Sequence, residues 1–232
     1  MTRCLIPLDP SRYLEFPDAV RELAPGVGER VLDLASPKLV AVELARRGAE
    51  VTSVDALEAE VAVWRSLARA RRGLSFEVAD GRQLPFPDRS FDHAYSISVL
   101  EHVQGTGDGE VLSELARVVR PRGRVVVTLP YASRYREDWR DAPVYGSPEP
   151  VNGRYFFERW YDDTRLRELA SAAPSLQLVA SRISRMAPNW HLLYTRAFPW
   201  LVPLGPFFGL LARERLGPPG DVVRLTLERK EE

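Results

Sequence analysis

Cysteine is almost missing from this chain: Cys4 is the only one among 232 residues. A lone thiol excludes an internal disulfide framework and a cysteine-rich metal centre. Histidine is nearly as scarce (His93, His102 and His191), and no carboxylate pair is placed convincingly, so no metal site is read from the pattern. An excess of charge is lacking too. With 32 basic and 32 acidic residues the formal net charge is zero, which argues against a nucleic-acid-binding surface. No apolar run approaches the roughly 18 residues that a bilayer span needs, and no charged-then-apolar leader opens the chain. The expectation is a soluble, cytoplasmic protein. Internal repeats are absent, and low complexity is confined to the short end Arg229-Lys230-Glu231-Glu232. A chain of 232 residues that is 45% hydrophobic suits one α/β domain with an elaborated end.

What is present is organised around Val31–Asp55, VLDLASPKLVAVELARRGAEVTSVD. Val31-Leu32-Asp33-Leu34 is too short for a helix and suits a strand buried on both faces. Ser36 then reads as an N-cap with Pro37 at the first helical position, and Gly48 as the helix stop. Val51–Val54 is a second buried strand ending on Asp55. This is a strand–helix–strand unit, whose parallel strands need such a crossover. In an open parallel sheet, ligands settle beyond the carboxyl ends of the strands. An acid at the tip of the second strand can accept two hydrogen bonds from a ribose diol. A plain cap for the helix beginning near Ala56 is the competing reading.

The prolines at 7, 10, 17 and 25 make residues 1–28 a broken lead-in with one short helix over Ala19–Leu23. Tyr13 and Phe16 either close over a ligand or, as the plainer reading has it, pin the lead-in to the domain. A helix is expected over 57–72 with Val61, Val63, Trp64, Leu67 and Ala68 on one side and Arg65, Arg69, Arg71 and Arg72 on the other. A third strand follows at Leu74–Ala79, leading into Asp80-Gly81, and a fourth within Phe91–Leu100. Then come Glu101-His102-Val103, a glycine-rich break, a helix over Glu110–Val119 and a fifth strand at Arg124–Leu129. Asp162–Ala173 reads as a helix with Leu166, Leu169 and Ala170 inward. Leu176–Ser184 and Asp221–Glu228 read as the sixth and seventh strands.

In order, VLDL, VTSVD, FEVADGRQLPFPDRSFDHAYSISVLEHV and ELARVVRPRGRVVVTLP resemble the class I, seven-strand methyltransferases that use S-adenosylmethionine, in the style of the small-molecule (type 11) branch. The resemblance covers residues 29–130 and implies a doubly wound, mostly parallel seven-stranded sheet. It places Asp33, Leu34, Ala35 and Ser36 beside the methionine part of the cofactor. Asp55 and Ala56 would lie at the ribose, and Asp80, Gly81 and Arg82 at the adenine. Ser96, Ile97 and Ser98 would pass beneath the cofactor. Carboxylates, which only accept hydrogen bonds, suit diols and an exocyclic amine. One departure stands out. Ala35, Pro37 and Lys38-Leu39 occupy a turn where the family has glycines, residues used for close backbone approach or positive φ. A pocket plugged by Pro37 or Lys38 would count against the enzymatic reading. A nicotinamide dehydrogenase is disfavoured because the first turn lacks G-x-G-x-x-G.

His102, after the fourth strand, is the candidate base for the methyl acceptor. The plainer role is a hydrogen bond to a neighbouring loop, with Glu101 as a loop anchor. His93 reads as structural.

The whole chain, 1–232, reads as one domain. Residues 1–28 are its lead-in, 29–130 the cofactor-binding core, 131–161 and 187–218 lid or insert segments, and 162–186 with 219–232 the end of the sheet. Residues 131–160 mix aromatics with arginines, as a cover for a planar or anionic acceptor would, or as a packed surface loop would. Pro143, Pro148 and Pro150 argue against regular structure across its middle. Asn189–Leu216 is long, apolar and broken by prolines. An acceptor cover, a peripheral membrane contact and a homodimer surface compete for it. The function expected is methyl transfer to a small aromatic or hydrophobic acceptor. The alternative is a non-catalytic domain of the same fold that binds a partner or a membrane surface through 187–216.

Overall fold

The computed structural model describes residues 12–68, 71–144, 149–185, 213–214 and 222–231. Cys4, Arg69, Tyr145, Pro148, His191 and nearly all of the apolar stretch 189–216 lie outside these, as does the side chain of Tyr13.

The elements are α1 (Arg12–Leu23), β1 (Arg30–Leu34), α2 (Leu39–Arg46), β2 (Glu50–Asp55), α3 (Glu58–Leu67), β3 (Leu74–Val78) and β4 (His93–Ile97). They continue with α4 (Gly107–Val118), β5 (Arg124–Pro130), β6 (Arg136–Arg140), β7 (Tyr155–Trp160), α5 (Asp163–Ser171), β8 (Leu176–Arg185), β9 (Arg213–Glu214) and β10 (Val222–Arg229). The main sheet runs β3-β2-β1-β4-β5-β10-β8, and the two-residue β9 is added at the β8 edge. β1 pairs in parallel with both β2 and β4, while β10 is antiparallel to β5 and β8. This is the expected mostly parallel seven-stranded sheet. Chain order reverses at β1, so the tips of β1, β2 and β4 form the switch point where open α/β sheets hold ligands.

Burial on both faces explains the apolar strands. Leu32, Leu34, Val125, Val127 and Leu129 pack on one side with Leu112, Leu115 and Leu169. Val31, Val51, Tyr95, Ile97 and Val126 pack on the other with Ala19, Leu23, Val40 and Leu44. Successive side chains of one strand thus feed opposite cores.

Several expectations are corrected. α1 is far longer than Ala19–Leu23 and carries Pro17 inside it. Its first turn is held from outside the helix: Thr128 Oγ1 donates to Glu15 Oε1 at 2.6 Å, and Arg12 Nη1 donates to Ser98 Oγ at 2.7 Å. α2 begins at Leu39 with Lys38 as its N-cap, so neither Ser36 nor Pro37 opens it. α3 ends at Leu67, and Val63 (46% exposed) and Leu67 (61%) face outward. α4 starts at Gly107, inside the expected glycine-rich break. In α5, Ala170 is exposed and only Leu169 is fully buried. Residues 131–161 contain an antiparallel hairpin, β6–β7, that the sequence pattern does not foretell; Pro143 and Pro150 fall in its connection, whose described residues are irregular as expected.

Candidate functional site

The three acids singled out from the sequence stand at neighbouring strand ends. Backbone bonds tie these ends together: the Ala35 N–H donates to Val54 O at 2.7 Å, and the Ala79 N–H to Asp55 O at 3.1 Å. The Asp80 loop is packed onto β1, since a Cβ on Gly81 would sit 3.1 Å from a methyl of Leu34. Ala35 takes φ +50°, the left-handed backbone for which a glycine is usual, so the bend survives with alanine at the cost of some strain. Ser98 at the tip of β4 has φ +51°.

Asp33 is fully buried and accepts the Ser53 hydroxyl at 2.7 Å, the Ser36 N–H at 3.2 Å and the Lys38 ammonium at 3.3 Å. Lys38 is itself buried, so a cation lies beside the first acid. Asp55 is half-buried, and its Oδ1 accepts the Leu57 N–H at 3.0 Å. Burial pushes the Asp55 carboxyl up; the Leu57 bond and then the Lys38 charge pull it down, and the Asp33 charge pushes it up again. Asp33, Lys38 and Asp55 therefore share one electrostatic neighbourhood. Asp80 is half-exposed and held below the usual carboxylate range first by its hydrogen bonds to the Arg82 guanidinium, 2.7 Å at Nη2. Ala56 is exposed beside Asp55.

The serines have internal partners. Ser36 Oγ donates to Leu34 O at 3.2 Å and accepts the Ile97 N–H at 2.8 Å, and Ser96 Oγ donates to Leu34 O at 3.2 Å. They weld the bend after β1 to the end of β4, while the Ile97 side chain belongs to the core under α2.

Beyond β4, Leu100–His102 forms a 3-10 turn. His102 Nδ1 is 2.7 Å from Phe157 O, so this nitrogen carries the proton and donates. Burial pushes the His102 pKa down, keeping the ring neutral near pH 7 with its lone pair on Nε2. The Phe157 ring lies 5.2 Å from the imidazole and has the Arg140 guanidinium 4.5 Å over it.

Glu101, 2% exposed, has an Oε2 with no hydrogen-bond partner, and burial pushes its carboxyl up to about 8. Between the ordinary value of 4.5 and about 8 the folded chain keeps a proton that the unfolded chain has lost. Stability contributed here is therefore lost as pH rises through that window. Glu101→Gln removes this dependence, so it should gain on wild type by on the order of 3 kcal/mol between about pH 5 and pH 8. Urea melts at the two pH values check this; parallel pH curves for the two proteins would refute it.

Sequence reasoning missed Ser53, Arg12, Glu15 and Thr128. Ser53 looked like strand filler, and an acid in a proline-rich lead-in gives no sign that it will be 4% exposed against β5. Lys38 is read from the sequence as a lost glycine and as a residue that could plug the pocket, not as the buried partner of Asp33.

The sheet order with its reversed β10 is that of the Rossmann-like methyltransferase fold. Residues 32–127 match the family model described as a methyltransferase domain. Among similar proteins is a demethylmenaquinone methyltransferase of Clavibacter sepedonicus, 40% identical over 109 residues, 46% of this chain and 43% of that protein. Another, from Mycobacterium sp. (strain KMS), is 42% identical over 108 residues, covering 44% and 42%. The matched stretch spans less than half the length of these curated relatives. Among solved structures, the 1,6-didemethyltoxoflavin-N1-methyltransferase of Burkholderia thailandensis, with S-adenosylhomocysteine bound, superposes with a TM-score of 0.61 at 18% identity, covering 94% of this chain and 77% of that one. The PH0226 protein of Pyrococcus horikoshii OT3 gives 0.63 at 19%, covering 95% and 90%, and the [4+2]-cyclase SpnF gives 0.62 at 17%, covering 94% and 80%. At these identities the structures establish the fold, which hosts more than one chemistry.

Proposed function

We propose that this chain is an S-adenosylmethionine-dependent methyltransferase acting on a small aromatic or hydrophobic acceptor. The observation that carries the reading is Asp55, a half-buried carboxylate at the tip of β2, at the switch point and one strand from Asp33. The acceptor groups fit the cofactor. Asp55 suits the ribose diol, and Asp80 suits the adenine amine once it shares its oxygens with Arg82. Gly81 on Leu34 keeps the two loops closely packed. When bound, the cofactor supplies a methyl group activated on a sulfonium. The chain contributes alignment, which accounts for most of what such a transfer needs. Neutral His102, held at Nδ1 by Phe157 O, accepts the acceptor's proton at Nε2. The β6–β7 hairpin, with Phe157 beside His102 and Arg140 above it, supplies an apolar wall with a cationic rim. The named activity of the relatives, on demethylmenaquinone, supports an apolar acceptor.

The buried Lys38–Asp33 pair favours a second reading, a non-catalytic domain of the same fold. Titration calorimetry with S-adenosylhomocysteine separates the two. Binding in the micromolar range is expected, and no heat at millimolar ligand would support the second reading instead.

A further inference from the structure

The bend after β1 offers unusually few backbone donors. The Ala35 N–H is given to Val54 O and the Ser36 N–H to Asp33 Oδ1 (3.2 Å), while Pro37 has no N–H at all. A glycine-rich turn would present such groups to an anion approaching it. Here the next residue presents an ammonium in their place: Lys38, 6% exposed, with Nζ 3.3 Å from Asp33 Oδ2. We propose that Lys38 receives the carboxylate of the cofactor's amino-acid tail, exchanging its contact with Asp33 for that group.

The inference rests on the methyltransferase reading and names what selects the tail at that site. Charge accounting supports it. The crevice holds two carboxylates, Asp33 and Asp55, and one ammonium, Lys38. A zwitterionic tail adds one charge of each sign. If the tail's ammonium goes to Asp33 and its carboxylate to Lys38, one ion pair becomes two, and neither charge of the tail is left without a partner. Asp33 can release Lys38 because Ser53 Oγ and the Ser36 N–H remain on it. The Lys38 contact is the longest of the three. A lysine also suits the exchange better than an arginine: its charge is compact and rides on a flexible four-carbon stem. The Lys38 charge also pulls the Asp55 carboxyl down.

The test is titration calorimetry with three probes. S-adenosylhomocysteine carries the full tail, its decarboxylated thiopropylamine analogue keeps only the ammonium, and methylthioadenosine has no tail. Wild type is expected to bind S-adenosylhomocysteine about tenfold or more tighter than the decarboxylated analogue, a comparison that needs no variant. Lys38→Met should erase most of that preference and leave methylthioadenosine within about twofold. Equal wild-type affinity for the first two probes would overturn the proposal, as would a Lys38→Met protein that binds S-adenosylhomocysteine as tightly as wild type or tighter. In those cases Lys38 is a plug over Asp33, and methylthioadenosine still binds. Failure of wild type to bind any of the three would take the methyltransferase reading down with it.

Discussion

Asp55→Ala is expected to weaken S-adenosylhomocysteine binding by about a hundredfold or more, the largest effect of any single change at these strand tips. A carboxylate that accepts from a ribose diol makes two charge-assisted hydrogen bonds, each worth roughly 1.5–3 kcal/mol. Truncation leaves the diol facing a methyl group in a half-buried crevice. The cost to folding should be much smaller. Asp55 makes one local bond, to the Leu57 N–H at 3.0 Å in the turn ahead of α3, and losing one such hydrogen bond costs about 1 kcal/mol. Calorimetry on a protein that still melts cooperatively reads the two effects apart. An affinity within threefold of wild type would remove Asp55 from the site, and with it the observation that carries the functional reading.

Asp108→Ala should destabilise the fold by about 3–5 kcal/mol, read as the fall in unfolding free energy in urea. Asp108 and Arg159 are each 1% exposed, and Nη1 lies 2.9 Å from Oδ2. The Tyr161 hydroxyl donates to the same oxygen at 3.0 Å, and Arg165 Nη2 lies 3.1 Å away. Removing the acid strands the Arg159 guanidinium in the interior, which costs far more than losing a surface pair. Arg165→Met should cost much less, because its side chain is 23% exposed. The damage should also reach the acceptor side. Arg159 donates to Val103 O and to Gly105 O, and so clamps β7 against the loop that follows His102. A loss below about 1 kcal/mol would show that the clamp is held by the rest of the hairpin.

The central part of the chain could be read because parallel strands buried on both faces must be apolar and must be joined by helices. Val31–Leu34, Val51–Val54 and Arg124–Leu129 admitted little else. Misreadings arose where a partner distant in sequence overrode a local rule. Ser36 has the right chemistry for an N-cap, yet its hydroxyl is taken by the Ile97 N–H, 61 residues away. Pro17 looked like a helix stop, but α1 continues through it because Thr128 and Ser98 hold its first turn. The prolines in the aromatic and arginine run after β5 mark its middle as irregular, as its described residues are, but do not show that the flanks meet. They pair as a hairpin, with Arg136 4.3 Å over Trp160 and Arg140 4.5 Å over Phe157.

By itself the sequence determined the parallel sheet, the acids at the ends of β1 and β2, and the acid just beyond β3, because hydrophobic periodicity and residue spacing are local quantities. Only the tertiary structure decided that Lys38 is buried beside Asp33, that Glu101 holds its proton, and that Arg159 clamps the hairpin. Arg159 enters the interior because Asp108, on a distant helix, supplies its counter-charge, and Glu101 loses its water to segments far along the chain. Asp33 and Lys38 are close in sequence, but it is the packing of the neighbouring strands over them that makes their pairing a buried one.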